Sequence, residues 1–164
     1  MEDHGWIRRA QRGSVDDLER LFREHWPRAY RAARLVTGDD AAAEDIAQEA
    51  FLAAVRNLDR FDRRRPFAPW LHRIVVNRAI DWTRARRLRA EVELGEHLPA
   101  APAAEPDGDV FGRIAELTPD HRAVVVLRYL LEYTPGEIAQ LLDLPRGTVN
   151  SRLRRGLDRM KNGT

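Results

Sequence analysis

The residues best suited to chemistry in this sequence are cations, and one group of them lies near the C-terminus. Residues 146–161 contain six cations against one acid, Asp158. Guanidinium groups make paired hydrogen bonds to phosphate oxygens, so this segment favours a nucleic-acid partner. The five histidines show no metal-ligand spacing, and no glycine-rich phosphate loop or nucleophile elbow occurs. We therefore expect no catalytic residue, no metal site and no cofactor.

The cationic segment is the second half of a predicted helix, tight turn and helix. Residues 135–142 form the first helix and residues 143–145 the turn, where Asp143 stands at a position that usually holds glycine. Aspartate tolerates the left-handed conformation such a turn needs. A basic helix behind a short turn is typical of insertion into the DNA major groove. We predict base-edge contacts from Asn150, Ser151, Arg154 and Arg155, and phosphate contacts from Arg146 and Arg152. The alternative is a solvated helical hairpin with a cationic face.

A second candidate surface lies on a helix that begins near Phe67. Trp70, Arg73, Asn77, Asp81 and Arg84 follow one another at helical spacing on its polar side. Aromatic, amide and cationic groups together suit unpaired bases, which offer faces for stacking and edges for hydrogen bonds. In the alternative interpretation Trp70 is a core residue and the arginines are ordinary surface residues. Further cations extend this helix: Arg86, Arg87 and Arg89.

A third candidate surface is acidic. In a helix predicted over residues 40–58, Asp45, Gln48, Glu49 and Leu52 share one face, opposite the apolar stripe. An acidic face with one exposed leucine suits docking on a basic partner helix. The alternative, an ordinary solvated face, is equally compatible with the spacing.

The elements that must position these surfaces are all helical. Apolar residues recur at helical spacing, and no segment alternates as a strand does, so we predict an all-α fold of two small helical domains. Residues 1–90 form the first domain and residues 110–164 the second. Residues 91–109 contain six acidic residues, three prolines and no lysine or arginine, which predicts a flexible acidic linker. That composition favours domains that move relative to each other.

Composition excludes several classes of protein. The 164 residues contain no cysteine, so disulfides and thiolate metal sites are excluded. The longest purely apolar run, residues 123–127, is far too short to span a membrane, and the acidic start has no apolar stretch behind it. We therefore expect a cytoplasmic protein without membrane insertion.

Three sequence blocks resemble one known family. Residues 43–51, Ala-Glu-Asp-Ile-Ala-Gln-Glu-Ala-Phe, resemble the polymerase-docking signature of bacterial sigma factors. Residues 70–82 resemble the adjoining strand-opening helix, and residues 117–155, with Gly147-Thr148-Val149-Asn150-Ser151-Arg152, are similar to the C-terminal domain. The blocks occur in the family's order and cover most of the chain outside the linker. The arrangement is that of the minimal, extracytoplasmic-function (ECF) group, with a sigma-2-like and a sigma-4-like domain.

The resemblance implies a function for each surface. The acidic face would bind the clamp helices of the largest subunit of core RNA polymerase, and the C-terminal domain would approach the flap region. The loop over residues 59–66 and Asn77 would capture a flipped base of the −10 promoter element, with Trp70, Arg73, Arg84, Arg86 and Arg87 nearby. The helix-turn-helix, including Thr148, would read the −35 element as duplex. The resemblance also implies an anti-sigma partner.

Two other functions compete with this interpretation. An enzyme would need a constellation of reactive residues that the sequence lacks. A free-standing helix-turn-helix regulator would share the C-terminal domain, but it would not need the acidic face or the arginine-rich helix that carries Asn77. Such regulators bind palindromes as dimers, and no dimerisation heptads occur.

Overall fold

The computed structural model describes residues 2–94 and 108–162, and it confirms the all-α prediction. The described residues form α helices joined by short turns, with a 3-10 turn at Leu58–Arg60 and a π-helical segment at Val126–Leu130. The α helices are α1 (Glu2–Gln11), α2 (Val15–Thr37), α3 (Asp40–Arg56), α4 (Phe67–Leu94), α5 (Gly108–Ala115), α6 (Pro119–Val125), α7 (Pro135–Leu142) and α8 (Arg146–Asn162).

The N-terminal unit is built around α2, which packs against α1, α3 and α4. Residues 37–39, Thr-Gly-Asp, predict a helix stop followed by a new N-cap, and the corner between α2 and α3 lies there. Gly38 takes a left-handed conformation with φ of 69°, and the Asp39 carboxylate accepts from the Ala42 amide at 2.9 Å to cap α3. α2 runs as one helix through Pro27. This corner sets α3 beside α2 with its acidic face outward.

The Thr-Pro steps at residues 118–119 and 134–135 predict capped helix starts, and two helices of the C-terminal unit begin there. Thr118 caps α6, and Thr134 forms a complete capping box with Glu137 at the start of α7. Asp143 takes the predicted left-handed conformation, with φ of 54°, between α7 and α8. Gly156 lets α8 cross α6 closely, because a Cβ there would lie 3.1 Å from Val125 Cγ2. The turn and the close crossing pack α8 against α6 and α7, with Val149 and Leu153 buried.

The two units pack against each other and share one hydrophobic core. α4 contacts α6 and α7, α2 contacts α5 and α6, and buried side chains form one cluster from Ile7 in α1 to Leu153 in α8. This differs from the independent movement that the linker composition favours. Both ends of the predicted linker are helical, since α4 continues through residues 91–94 and α5 includes residues 108 and 109. Residues 95–107 lie outside the described residues.

Two local features differ from the expectations. α1 was not predicted, because residues 2–11 offer only a short, weak apolar pattern, although Ile7 is 1% exposed. Val55 was expected in the core and is 40% exposed at the end of α3. Its position beside Leu52 places both residues on the wall of an apolar groove rather than inside the unit.

Candidate protein-binding and nucleic-acid-binding faces

The docking face, made of Asp45, Gln48, Glu49 and Leu52, is exposed along α3 as the spacing predicts. Its Glu49 carboxylate accepts from the Arg78 guanidinium of α4 at 3.1 Å, and both side chains remain largely solvated. An exposed ion pair of this kind contributes little to stability and exchanges easily for another cation. The face therefore keeps its acidic character for a basic partner.

Beside the docking face lies an apolar groove between α2 and α3, with a volume of about 520 Å³. Leu52 is 53% exposed and lines the groove together with Gln48 of the docking face. Phe22 lies on the opposite wall, 40% exposed, with its ring centroid 4.9 Å from that of Phe51. An acidic rim around an apolar groove fits a helix that carries both cations and an aliphatic side chain.

The −10 face consists of the predicted α4 residues Trp70, Arg73, Asn77, Arg84, Arg86 and Arg87. Arg73 and Asn77 are exposed and lie one turn apart, as predicted. Trp70 is partly buried, and its ring packs against Phe61 at 4.7 Å and Phe67 at 5.8 Å between centroids. Trp70 is therefore partly a core residue, and its stacking on an unpaired base stays a prediction.

The three arginines at the far end of the −10 face are engaged within the molecule. Arg84 forms an ion pair with Asp120 of α6, and Arg87 donates to the Leu117 carbonyl at 3.2 Å. Arg86 donates to Asp39 at 3.4 Å and lies over the Trp82 ring at 5.2 Å. The structure thus separates the predicted set into an exposed half around Asn77 and a half that contacts other residues, mostly in the C-terminal unit.

The −35 face, made of Arg146, Thr148, Asn150, Ser151, Arg152, Arg154 and Arg155, lies on α8 behind the tight turn. Arg146, Asn150, Arg154 and Arg155 are exposed, whereas Thr148, Ser151 and Arg152 are partly covered. Val149 and Leu153 are buried on the opposite side and fix the rotation of α8. Arg152 lies 3.7 Å from the Asp120 carboxylate, so the same acid approaches a cation from each promoter face.

A buried arginine connects the two units. The Arg122 guanidinium, 7% exposed, donates to the Val36 carbonyl at 2.9 Å, to the Leu117 carbonyl at 2.9 Å and to the Ala115 carbonyl. Val36 lies near the C-terminal end of α2, where helix carbonyls lack intrahelical partners. Burial, and then the neighbouring Arg87, lower the pKa of Arg122 to about 10, so it stays charged at neutral pH.

A histidine–tyrosine pair forms a second connection. His72 of α4 is 3% exposed, and its Nδ1 shares a 2.7 Å hydrogen bond with the Tyr133 hydroxyl. Burial is the largest cause that lowers the pKa of His72 to about 4, followed by the charges of His25 and Arg28. Burial also raises the pKa of Tyr133. Both side chains are therefore neutral near pH 7 and form a neutral polar contact between the units.

Sequence reasoning missed the residues that join the units: Arg122, His72 and Tyr133. In the sequence, Arg122 only marks the start of the apolar run 123–127. The carbonyls to which it donates can be identified only in the folded structure. Within the described residues, no group of three or more histidines, aspartates or glutamates could hold a metal ion. No described helix is long and apolar enough to cross a membrane.

Comparisons with known proteins match both units to one family. A family model for Sigma-70 region 2 matches residues 21–89, and one for Sigma-70 region 4 matches residues 110–160. The ECF RNA polymerase sigma factor SigW of Bacillus subtilis is 32% identical, over 94% of this chain and 92% of its own length. The chain belongs to the ECF sigma factors. Proteins of this family direct RNA polymerase to particular promoters, and the free-standing regulator is not favoured.

Two further relatives support the assignment. The sigma factor CarQ of Myxococcus xanthus is 30% identical over 94% of this chain and 93% of its own length. The solved structure of CnrH in complex with the cytosolic domain of CnrY has a TM-score of 0.74 and 28% identity, over 97% of this chain and 94% of that one. The likeness to CnrH spans both units of this sigma factor.

Proposed function

We propose that this sigma factor binds core RNA polymerase through the docking face, reads the −35 element as duplex through the −35 face, and captures the melted −10 element through the −10 face. The observation that carries the proposal is the exposed cationic α8, held behind a left-handed turn at Asp143 in a chain with both sigma regions. A major-groove helix needs this combination of an outward basic side and a buried apolar side. We propose that the protein acts in the cytoplasm.

The docking face supports a specific kind of contact with polymerase. Gln48 and Leu52 line the apolar groove, and the two carboxylates are exposed on the same helix. The clamp helices of the largest subunit would therefore bring basic residues to the carboxylates and an aliphatic residue to the groove. The C-terminal unit would approach the flap region.

We also propose that an anti-sigma protein binds this chain. The structure of the similar CnrH is that of a complex with the cytosolic domain of CnrY, and the chain resembles CnrH over nearly its whole length. An apolar groove beside an acidic face is a surface that such a protein would cover. Co-purification of a specific partner from the native host, lost when Leu52 is changed to Asp, is the expected result.

The test of the proposed function is a reconstitution. Purified protein is added to bacterial core polymerase, and transcription is mapped on fragments of the source genome. Initiation at defined start sites that core alone does not use is the expected result, and the start sites give the promoter sequence. Duplex DNA binding without any binding to core would overturn the proposal.

Charge reversal tests the docking face. Asp45→Arg combined with Glu49→Arg should weaken core binding by at least about a hundredfold, because two cations would then meet a basic helix. Both positions are exposed on α3, so the fold should remain intact. The matched control is Asp16→Arg combined with Glu24→Arg, which makes the same charge change at exposed positions of α2. Equal core affinity of the two double variants would refute the assignment.

A further inference from the structure

A glutamine at the end of α1 is hydrogen-bonded to the segment that precedes the −10 face. The Gln11 side-chain amide donates to the Leu58 carbonyl at 2.8 Å and to the Phe61 carbonyl at 3.2 Å. Both hydrogens of one NH₂ group are thereby used, on carbonyls at the start and just beyond the end of the 3-10 turn Leu58–Arg60. These contacts join residues about fifty positions apart in the sequence.

The helix that carries Gln11 is itself fixed to α2. The Arg9 guanidinium donates two 2.9 Å hydrogen bonds to the Asp17 carboxylate, and the Ser14 hydroxyl donates to the same group at 2.7 Å. Asp17 is 4% exposed, and Ile7, on the inner side of α1, is buried. Because two-point arginine–carboxylate contacts define both distance and direction, Gln11 projects from a rigid support.

The segment that Gln11 holds carries the features of a single-strand binding site. Residues 57–66, here called the arginine loop, include exposed cations at Arg60, Arg63, Arg64 and Arg65. The Phe61 ring packs against Trp70 of the −10 face and, edge-on, against Phe67 at 5.8 Å. The Phe61 carbonyl that Gln11 binds thus belongs to the residue that joins the arginine loop to the −10 face.

We propose that Gln11 is a positioning residue for promoter opening: it holds Phe61 and the arginine loop against Trp70, so that the loop and Asn77 are preformed for an unpaired base. This inference rests on the proposed function. A loop that is ordered before it meets DNA does not lose that conformational freedom on binding, so the brace lowers the free energy of base capture. Gln11 contacts none of the residues of the docking face or the −35 face among the hydrogen bonds of the described residues.

The test uses the holoenzyme reconstituted on its own promoter. Gln11→Met keeps the length of the side chain without a donor, and Gln11→Glu replaces the NH₂ with an oxygen that repels both carbonyls. Loss of two hydrogen bonds should slow open-complex formation on duplex promoter by about tenfold or more. Core affinity should stay within about twofold of wild type. The affinity of the holoenzyme for a template already unpaired across the −10 element should fall together with the opening rate, because that template also needs base capture.

Two controls separate positioning from general damage. His4→Met changes an exposed side chain on the same helix and should open the promoter at the wild-type rate. Hydrogen exchange of the free protein should show faster exchange of the amides of residues 58–65 in Gln11→Met, with unchanged exchange in α8. This second measurement needs neither polymerase nor DNA.

The outcomes are distinguishable. Wild-type opening by Gln11→Met, or unchanged exchange in the arginine loop, would overturn the inference and leave the proposed function in place. Equal losses in core binding, duplex opening and use of the unpaired template would show a purely structural role and would also overturn it. Failure of the wild-type protein to initiate with core would overturn the proposed function itself.

Discussion

The two promoter faces of this sigma factor differ in how much of each is engaged within the molecule. On the −35 face, Arg154 and Arg155 point outward from α8. On the −10 face, Arg84 and Arg87 contact Asp120 and the Leu117 carbonyl of the C-terminal unit. The difference teaches that packing of the two units leaves α8 accessible for its proposed contact with duplex DNA. The same packing engages cations that are proposed to contact DNA near the melted element.

Asp120 lies close to one arginine of each face. Its carboxylate pairs with Arg84 of the −10 face and lies near Arg152 of the −35 face. Such exposed contacts are weak in water, so phosphate groups compete for the same guanidinium groups. The buried contacts of Arg122 and His72 contribute more to the stability of the junction, because water cannot reach these groups to form substitute hydrogen bonds.

The largest expected effect comes from removing two exposed arginines of the −35 face. Arg154→Ala combined with Arg155→Ala should weaken binding of the free protein to −35 duplex by about a hundredfold, since each base contact contributes roughly 1–3 kcal/mol. Arg84→Ala combined with Arg87→Ala should leave this duplex binding within about twofold, but should slow promoter opening by the holoenzyme. Fluorescence anisotropy on duplex and kinetics of opening measure the two effects. Equal loss of duplex binding in both double variants would contradict the division between the faces.

A smaller effect is expected where the units join. Arg122→Met removes a buried donor shared by three carbonyls, of which Val36 keeps Thr83 and Leu117 keeps Arg87 as donors. The loss should cost about 3 kcal/mol of unfolding free energy. Urea unfolding measures this loss. The comparison variant is Arg87→Met, which removes one contact of a partly exposed side chain and should cost less than about 1 kcal/mol. Similar losses for the two variants would show that burial of Arg122 is not what stabilises the junction.

The smallest expected effect appears only in acid. The pKa of His72 is about 4 in the folded protein and near 6.5 when unfolded, so the unfolded chain binds the proton more tightly between these values. The contribution of neutral His72 to the free energy of unfolding is complete above about pH 6.5 and is lost as the pH falls toward 4, by about 2 kcal/mol at pH 5.

His72→Phe removes this titration. The variant should be less stable than wild type at pH 7.5, because the Tyr133 hydroxyl loses its partner, and the gap should narrow at pH 5. Urea unfolding at the two pH values measures the gap. A gap that is the same at both values would show that His72 does not titrate as its burial indicates.

Much of the site could be predicted because it depends on local patterns. The spacing along α3 predicts the outward position of the docking face. The Thr134 capping box and the turn at Asp143 define where the two helices of the helix-turn-helix, α7 and α8, begin. These features depend on residues a few positions apart, so a single sequence contains the information. The residue roles within the faces remain predictions that the experiments above test.

The sequence by itself determined the helical elements, the outward position of the docking face and of α8, and the family blocks that assign the chain to the ECF sigma factors. The tertiary structure decided which cations are engaged, how the units share a core, and that α1 brings Gln11 to the arginine loop. The physical reason is the distance along the sequence over which each kind of interaction acts. Helix periodicity and capping act within one or two turns, whereas the contacts of Arg122 with Val36 and of Gln11 with Phe61 join distant segments that only the packed core brings together.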